Sequence, residues 1–319
     1  MSKSAEQARR APLLVTMGEP AGIGPEIAVA AFQHFGGNLD GRPIRLVGDP
    51  AVLLSCGAVS AGALLATKAQ ASRIPAKPDP KNSRAVCEAI ELAVAEAMTG
   101  AAAAVVTGPI NKAVLAASEF RFSGHTDFLA HLTGARLPVM MVSGAGLRVV
   151  PLTIHMALAA VPHAITEELI VETGRIVLSA LSQDFSIAKP RLAVSGLNPH
   201  AGEAGVLGSE EKSIIAPAVE TLRSTGATVI GPLPADTMFH PEARATYDAA
   251  ICMYHDQALI PLKALAFWSG VNITLGLPIV RTSPDHGTAF DIAGRGLADP
   301  RSMIAAIELA AKIADARGR

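Results

Sequence analysis

Short runs of apolar residues that end abruptly in glycine, proline or polar residues recur along this chain, and longer amphipathic segments separate them. Such runs are typical of strands in a parallel sheet, which helices cover on both faces. They predict strands at 13–16, 44–47, 102–106, 147–154, 191–195 and 249–254. The segments between them predict helices at 27–35, 83–98, 165–183, 209–225 and 302–316. Strands that alternate with helices indicate an α/β fold.

Two stretches depart from this alternation. Residues 112–124 are polar and separate the first strands from the later ones, so we expect a domain boundary near residue 120. Residues 276–299 lack a clear period and predict a loop-rich return to the last helix. A chain of 319 residues is long enough for one or two domains with a sizeable core.

Three of the predicted strands lead into a histidine. The strand at 147–154 is followed by His155, the strand at 191–195 leads through a Gly-Leu-Asn-Pro segment to His200, and the strand at 249–254 is followed by His255. Because helical crossovers bring the carboxyl ends of parallel strands to one edge of a sheet, the three imidazoles can converge. Three imidazoles with an open position are typical of a catalytic metal site. Each histidine alone would more simply be a polar residue at a strand end, so the prediction rests on the set.

Other polar groups follow the last of these strands. Asp256 stands beside His255, and Lys263, Asn272 and Arg281 are isolated in otherwise apolar sequence. A turn-like segment, Asp-His-Gly-Thr at 285–288, comes next. Ligands of open α/β sheets bind at the carboxyl edge of the strands. So much polar chemistry in one segment favours an active site over a structural role.

Two loops between a strand and a helix allow two interpretations each. The glycine-rich segment at 17–26 brings backbone close to its surroundings, but it lacks the third glycine of a dinucleotide fingerprint. It is either a tight turn or a ligand contact. The segment Gly-His-Thr-Asp at 124–127 opens a helix with an imidazole, a hydroxyl and a carboxylate near its N-terminus. It is either a capped surface helix or an anion contact.

Composition narrows the class of protein. Half of the residues are hydrophobic and 17% are charged, which excludes a disordered chain. Lys and Arg total 27 against 28 Asp and Glu, so no strong field attracts nucleic acid or a membrane surface. The three cysteines are scattered, the N-terminal residues lack the apolar segment of a signal peptide, and no apolar run of about 18 residues is present. We expect a cytoplasmic protein with reduced thiols.

Longer motifs carry a resemblance to a known enzyme family. They are MGEPAGIGPE at 17–26, GHTD at 124–127, NPHAGE at 198–203, GPLPADT at 231–237, MYHDQALIPLK at 253–263 and GVNITLGLPIVRTSPDHGTA at 270–289. Together they resemble the 4-hydroxythreonine-4-phosphate dehydrogenases of pyridoxal phosphate biosynthesis. The resemblance implies a homodimer with an isocitrate/isopropylmalate dehydrogenase-like fold, in which two α/β/α domains flank an active-site cleft. It implies a discontinuous cofactor-side domain at 1–120 and 273–319, and a metal- and substrate-binding domain with the dimer interface at 121–272.

The resemblance also assigns roles to individual residues. The family's metal ligands fall on His155, His200 and His255, and its substrate-binding residues fall on His125, Thr126, Lys263, Asn272 and Arg281. The segment at 286–294 is similar to the adenosine-binding loop of isopropylmalate dehydrogenases, which makes His286, Gly287 and Asp291 the cofactor candidates. Glu19 and Asp127 stand where the family is expected to carry Asp and Glu, which affects only fine geometry.

The implied reaction is oxidation of 4-phosphooxy-L-threonine by NAD or NADP, with one divalent zinc, cobalt or magnesium ion per subunit. Imidazole ligands favour zinc or cobalt. Lys263 is the candidate catalytic base. The alternatives are a sister dehydrogenase that acts on phosphorylated threonate or erythronate or on a cyclic dihydrodiol dicarboxylate, a metal-dependent hydrolase or lyase, and a phosphate-binding module without catalysis.

Overall fold

The computed structural model describes residues 10–117, 120–122 and 124–319. Residues 1–9, which include most of the segment tested for a signal peptide, lie outside the described residues. The chain divides into two compact units, of which the first is Met1–Pro138 with Val271–Arg319 and the second is Val139–Gly270. The boundaries along the sequence therefore fall at 138/139 and 270/271. The resemblance implies boundaries at 120/121 and 272/273.

Regular elements alternate along the chain much as the apolar pattern predicts. The strands of the N-terminal part are β1 (Leu13–Thr16), β2 (Asn38–Leu39), β3 (Arg42–Gly48), β4 (Leu64–Ala66) and β5 (Ala104–Thr107). Its helices are α1 (Gly24–His34), α2 (Pro50–Leu54), α3 (Ser83–Met98), α4 (Lys112–Ala116) and α5 (His125–Thr133).

In the described residues, the second unit contains five strands and five α-helices. The strands are β6 (Val139–Gly144), β7 (Leu147–Thr153), β8 (Arg191–Ser195), β9 (Thr228–Leu233) and β10 (Ala249–Tyr254). The helices are α6 (Val161–Ala164), α7 (Glu167–Gln183), α8 (Ala216–Ser224), α9 (Pro241–Arg244) and α10 (His255–Ala266). The chain then returns to the first unit through β11 (Val271–Leu275), β12 (Arg281–Pro284) and α11 (Arg301–Ala316).

The first unit is built on a mixed sheet in the order β2-β3-β1-β5-β12-β11, with β4 beside β3. The central strands run parallel, and β11 pairs with β12 in antiparallel orientation. Every residue of β1 and β5 is buried, because helices cover both faces of these strands. Ala89, Ile90 and Ala93 of α3 pack with Phe128 and Leu129 of α5 in one core cluster.

Within the second unit the strands lie in the order β6-β7-β10-β8-β9. Strands β7, β10, β8 and β9 are parallel, and β6 is antiparallel to β7. The parallel arrangement brings the carboxyl ends of β7, β8 and β10 to one edge, as the sequence predicts. The core packs Val149, Cys252 and Leu262 together between the sheet and α10.

The segment at 276–299 is loop-rich as expected, but it also contains a strand that the pattern does not predict. Residues 276–299 are not only a loop-rich return, because β12 occupies Arg281–Pro284 within them. All four residues of β12 are buried, although three of them are polar. The Arg281 and Thr282 side chains donate hydrogen bonds inside the first unit, so burial does not require an apolar sequence there.

In the part of the chain that the structure describes, no helix is both long and apolar enough to cross a membrane.

Candidate active site

His155 and His255 come together in the second unit. They follow β7 and β10, which are parallel neighbours with Thr153 in register with Tyr254. The ring centroids of the two histidines lie 5.8 Å apart. The Thr153 hydroxyl donates a 2.7 Å hydrogen bond to the Met253 carbonyl and so links the two strand ends. Both imidazoles line a cavity of about 350 Å³.

A carboxylate lies beside this pair. The Nδ1 atom of His255 is 2.7 Å from Oδ1 of Asp256. Such a contact fixes the orientation of an imidazole and leaves Nε2 as its free nitrogen. Asp256 lines the same cavity.

His200 lies in a neighbouring cavity. Its turn follows β8 and lines a cavity of about 670 Å³ together with Asp236, and this cavity shares Tyr254 and Asp256 with the first. The imidazoles suit a borderline divalent ion, and the spacing of His155 and His255 fits two ligands of one ion. Across residues 10–117, 120–122 and 124–319, however, no three His, Cys, Asp or Glu side chains are grouped to hold a metal. The structure thus gathers two of the three predicted ligands and keeps His200 apart.

The backbone around His200 has an unusual conformation. His200, Ala201, Gly202, Glu203 and Ala204 all have positive φ, between 42° and 76°. Residues other than glycine adopt the left-handed region at a free-energy cost, and runs of them are rare. Surrounding interactions must therefore stabilise this turn.

Glu211 holds the segment that leads into this turn. Its carboxylate is 5% exposed. Oε1 accepts hydrogen bonds from the backbone N–H groups of Leu197 at 2.8 Å and Asn198 at 2.7 Å, and Oε2 accepts one from the Asn198 side chain at 3.0 Å. A Cβ atom on Gly202 would lie 2.5 Å from Oε2, so only glycine allows this approach. Glu211 thus anchors the turn that carries His200.

Gln257 connects the ends of β8 and β10. Its Oε1 accepts hydrogen bonds from the Ser195 hydroxyl at 2.8 Å and the Met253 N–H at 2.6 Å. Its Nε2 donates to the Gly196 carbonyl at 2.9 Å. The strand ends that precede His200 and His255 are therefore cross-linked by one amide side chain.

Lys263, the candidate base, lies on α10 about two turns beyond His255. Its side chain is partly buried. The helix continues through Pro261.

Arg281 is a buried arginine of the first unit. It stands on β12 with 3% exposure, and it donates hydrogen bonds to the hydroxyls of Thr274 at 2.9 Å and Thr107 at 2.6 Å. Neither acceptor is a carboxylate, and within the described residues Nε has no hydrogen-bond partner. Burial lowers the pKa of the Arg281 guanidinium to about 9, because removal from water disfavours its charged form.

His125 and Asn272 each have a buried side-chain atom without a hydrogen-bond partner among the described residues. Nε2 of His125, in the first turn of α5, and Oδ1 of Asn272, on β11, are both shielded from solvent and have no hydrogen-bond partner among the described residues. Burial, followed by repulsion from Arg281 and Lys112, holds the pKa of His125 well below its ordinary value. Buried polar atoms normally have a hydrogen-bond partner, so these two atoms are candidates for contact with a ligand. Thr126 is the next residue of α5 and is partly buried.

The candidate cofactor loop packs on the glycine-rich segment. The Ile23 N–H donates to the Thr288 carbonyl at 3.0 Å, and a Cβ atom on Gly22 would lie 2.7 Å from the same oxygen. Glu26 accepts a hydrogen bond from the Gly294 N–H at 2.7 Å and pairs with Arg73 at 2.5 Å. The conformation of the glycine-rich segment is thus explained by protein packing.

The three cofactor candidates differ in exposure. Gly287 and Asp291 are exposed, whereas Nε2 of His286 is buried without a hydrogen-bond partner in the described chain. His286 Nδ1 lies 3.1 Å from the Gly287 carbonyl.

Sequence reasoning missed Thr107, Thr274, Glu211 and Gln257. Thr107 and Thr274 are strand residues, and Glu211 looks like an ordinary acid in the first turn of a helix. Only Thr107 carried a signal, since it ends a buried strand at the carboxyl edge.

Comparisons with known proteins agree with one another. Residues 49–310 match the family model described as pyridoxal phosphate biosynthetic protein PdxA. The chain is 52% identical to the 4-hydroxythreonine-4-phosphate dehydrogenase of Caulobacter vibrioides, over 96% of this chain and 98% of the relative.

Solved structures of dehydrogenases are also similar to this chain. The 4-hydroxythreonine-4-phosphate dehydrogenase of Klebsiella pneumoniae is 37% identical with a TM-score of 0.83, over 96% of this chain and 99% of that one. A terephthalate 1,2-cis-dihydrodiol dehydrogenase of Burkholderia xenovorans is 31% identical with a TM-score of 0.67, over 95% and 98%. The α/β fold class is confirmed by these likenesses.

Proposed function

The chain belongs to the PdxA family of pyridoxal phosphate biosynthetic proteins, and we propose that it oxidises 4-phosphooxy-L-threonine with NAD. It is an oxidoreductase, as its relatives are. The C3 hydrogen leaves with its electron pair as hydride to the nicotinamide, and the C3 hydroxyl loses its proton. The product is 2-amino-3-oxo-4-phosphooxybutanoate, a β-keto acid that loses carbon dioxide to give 3-amino-2-oxopropyl phosphate.

The observation that carries the proposal is the buried guanidinium of Arg281. A buried cation whose hydrogen-bond acceptors are two neutral hydroxyls favours an anionic ligand, and a guanidinium pairs well with phosphate. We assign the phosphate of the substrate to this group. The helix N-terminus at His125 and Thr126 adds positive potential from its free N–H groups.

The remaining buried atoms suit the rest of the substrate. Oδ1 of Asn272 can only accept a hydrogen bond, and the substrate's amino or hydroxyl group can donate one. Neutral His125 can either donate or accept at Nε2, according to its tautomer. These contacts would orient the C3 hydrogen towards the nicotinamide, which is the main contribution of a protein to hydride transfer.

We propose that Lys263 accepts the hydroxyl proton. Lysine is among the side chains that act as general bases in enzymes. Its position on the helix that begins with His255 supports the assignment.

We propose that His155, His200 and His255 hold one divalent ion per subunit, with zinc or cobalt favoured over magnesium. His155 and His255 already lie at a suitable spacing, and Asp256 orients His255. When bound, the ion would lower the pKa of the substrate hydroxyl.

We propose that NAD lies along the loop that carries His286, Gly287 and Asp291. Asp291 is exposed and able to accept hydrogen bonds from the ribose hydroxyls. The same carboxylate would repel the 2′-phosphate of NADP, so NAD is the preferred nucleotide.

We further propose that the enzyme is a homodimer. Several large apolar side chains of the second unit are exposed, among them Ile260 at 67%, Phe267 at 65% and Val206 at 79%. Contacts with a second copy would remove this surface from water. The cysteines Cys56, Cys87 and Cys252 are all free thiols, which suits the reducing cytoplasm.

The experiment is NADH formation by the purified enzyme with each candidate substrate, in the presence and absence of a chelator. We expect NADH and equimolar carbon dioxide with 4-phosphooxy-L-threonine, and loss of both with chelator. Phosphorylated threonate or erythronate and a terephthalate dihydrodiol serve as competing substrates. If one of these alone reduces NAD, the enzyme is a sister dehydrogenase. If none does, while the phosphate ester is consumed, it is a hydrolase or lyase.

A further inference from the structure

The way in which Arg281 is held differs from that of three other arginines in the described part of the chain. Arg42, Arg73 and Arg191 each pair with a carboxylate, at 2.7, 2.5 and 3.0 Å. The two acceptors that bind the Nη atoms of Arg281 are the hydroxyls of Thr107 and Thr274. A hydroxyl fixes the orientation of a guanidinium without neutralising its charge.

The sheet explains why these two threonines flank Arg281. Arg281 is in register with Val105 on the parallel strand β5, so Thr107 lies two residues further on the same face. On the antiparallel side Ile273 is in register with Thr282, which places Thr274 opposite Arg281. Cross-strand neighbours on one face are within contact distance. Three adjacent strands therefore build one polar face around the guanidinium.

The burial of the hydroxyls makes this arrangement rigid. Thr107 is 0% and Thr274 is 2% exposed, so water cannot replace either oxygen if it is lost. With two of five N–H groups engaged, the guanidinium retains Nε–H and one N–H on each Nη for a ligand.

We propose that Thr107 and Thr274 are positioning residues of the anion site, which fix the guanidinium of Arg281 so that its remaining N–H groups meet the substrate phosphate. The inference rests on the proposed function, because it concerns the same ligand. It adds that the specificity for a phosphate depends on the neutrality of these two acceptors as well as on Arg281 itself.

The first test compares kinetic constants. Thr107→Val keeps the shape of the side chain and removes the oxygen, so the KM for 4-phosphooxy-L-threonine should rise about tenfold while kcat changes little. Thr107→Ser restores the hydroxyl and should restore KM. The matched control is Thr282→Val, because the Thr282 hydroxyl is equally buried but donates to the Ala306 carbonyl at 2.8 Å. That variant should lose stability and keep the KM of the wild type.

The second test measures binding of inorganic phosphate by calorimetry, without nucleotide. Phosphate should bind Thr107→Val about tenfold more weakly than the wild type and the Thr282→Val control. Equal binding by Thr107→Val and the wild type, or an equal loss in Thr282→Val, would overturn the inference. If Thr107→Val does not fold, Thr274→Val makes the same comparison at the other Nη atom, and unchanged binding there is equally decisive.

The two proposals fail in different ways. A wild type that does not oxidise the phosphate ester contradicts the proposed function. A wild type that oxidises it, with Thr107→Val and Thr274→Val kinetically unchanged, contradicts only the positioning role.

Discussion

Burying a guanidinium costs free energy unless other groups replace the water that it loses. Arg281 receives two hydroxyls in place of that water and keeps Nε without a partner in the described structure. His125 and Asn272 each keep a buried atom in the same condition. A ligand that brings anionic oxygens and a hydrogen-bond donor would satisfy all three side chains.

Arg281→Lys tests this residue directly. The charge is kept, but the planar fork that binds two phosphate oxygens is lost. We expect a loss of about 1.5–3 kcal/mol, the contribution of a hydrogen bond to a charged group, which is roughly ten- to hundredfold in kcat/KM. Steady-state kinetics with the phosphate ester measures it.

The control for this change is Arg148→Lys in the second unit. Arg148 stands at the start of β7, packs over the Phe185 ring at 4.5 Å and donates to the Asp248 carbonyl at 3.0 Å. Its substitution should leave kcat/KM close to the wild-type value. A similar loss in both variants would mean that Arg281 acts through general stability alone.

His125 gives a prediction about pH. Its pKa in the native protein lies well below the value of about 6.5 in the unfolded chain. As pH falls below about 6.5, the unfolded state binds a proton that the native state does not, so the free energy of unfolding decreases. His125→Gln removes this group and should make that decrease less steep in urea denaturation. The exposed His163→Gln is the control, and a wild-type slope no steeper than that of His125→Gln would contradict the prediction.

At the scale of elements, sequence periodicity predicts structure well where a segment has one environment. The helix predicted at 83–98 and the strand predicted at 249–254 have those bounds in the structure. The apolar pattern does not predict strand β12, because three of its four buried residues are polar. Strand β9 contains Gly231 and Pro232, which are typical of turns, and it was not predicted either.

In the candidate site, too, the sequence predicts some positions and not others. The positions of the strand ends predict that His155 and His255 lie close together, and they do, since β7 and β10 are neighbours. The position of His200 depends on a left-handed turn five residues beyond β8, and no local pattern predicts five successive positive φ angles. Nor does the sequence reveal that Glu211 accepts three hydrogen bonds from Leu197 and Asn198, which lead into that turn.

Glu211→Gln tests the anchoring of this turn. One glutamine oxygen can still accept two backbone N–H groups, but the amide NH₂ would face the NH₂ of Asn198, and two donors cannot bond. We expect a loss of about 1–3 kcal/mol in the free energy of unfolding and weaker uptake of Co²⁺. Denaturation and a cobalt titration measure the two effects.

The matched control is Glu220→Gln on α8, whose side chain is 73% exposed and pairs only loosely with Arg223 at 3.6 Å. Its stability should change by less than about 0.5 kcal/mol. If Glu211→Gln behaves like this control, the turn is stabilised by something other than the carboxylate.

At the scale of the whole molecule, the alternation of strands and helices was sufficient to predict the α/β class, but not the exact limits of the compact units. The polar stretch at 112–124 contains α4 and leads into α5, whose Phe128 and Leu129 pack in the core of the first unit. Helix ends are polar in the same way as linkers are, so composition does not distinguish them.

The metal proposal also belongs to this scale, because three strands contribute to it. Each of His155→Ala, His200→Ala and His255→Ala should remove most bound metal and nearly all activity. Tm should change little, because these side chains lie at the surface and not in the core. Metal analysis after dialysis measures the bound metal. The control is His240→Ala, at an exposed histidine that pairs with Glu242. Full metal content in His200→Ala would reduce the site to two histidines.

The most direct test of the account is the ratio of kcat/KM for 4-phosphooxy-L-threonine to that for unphosphorylated 4-hydroxy-L-threonine, at saturating NAD. Without the phosphate, Arg281 stays buried without an anion, so the ratio should reach at least about a hundred in the wild type. It should fall by roughly ten- to hundredfold in Arg281→Lys. A wild-type ratio near unity would contradict the assignment of the phosphate to Arg281 and with it the proposed substrate.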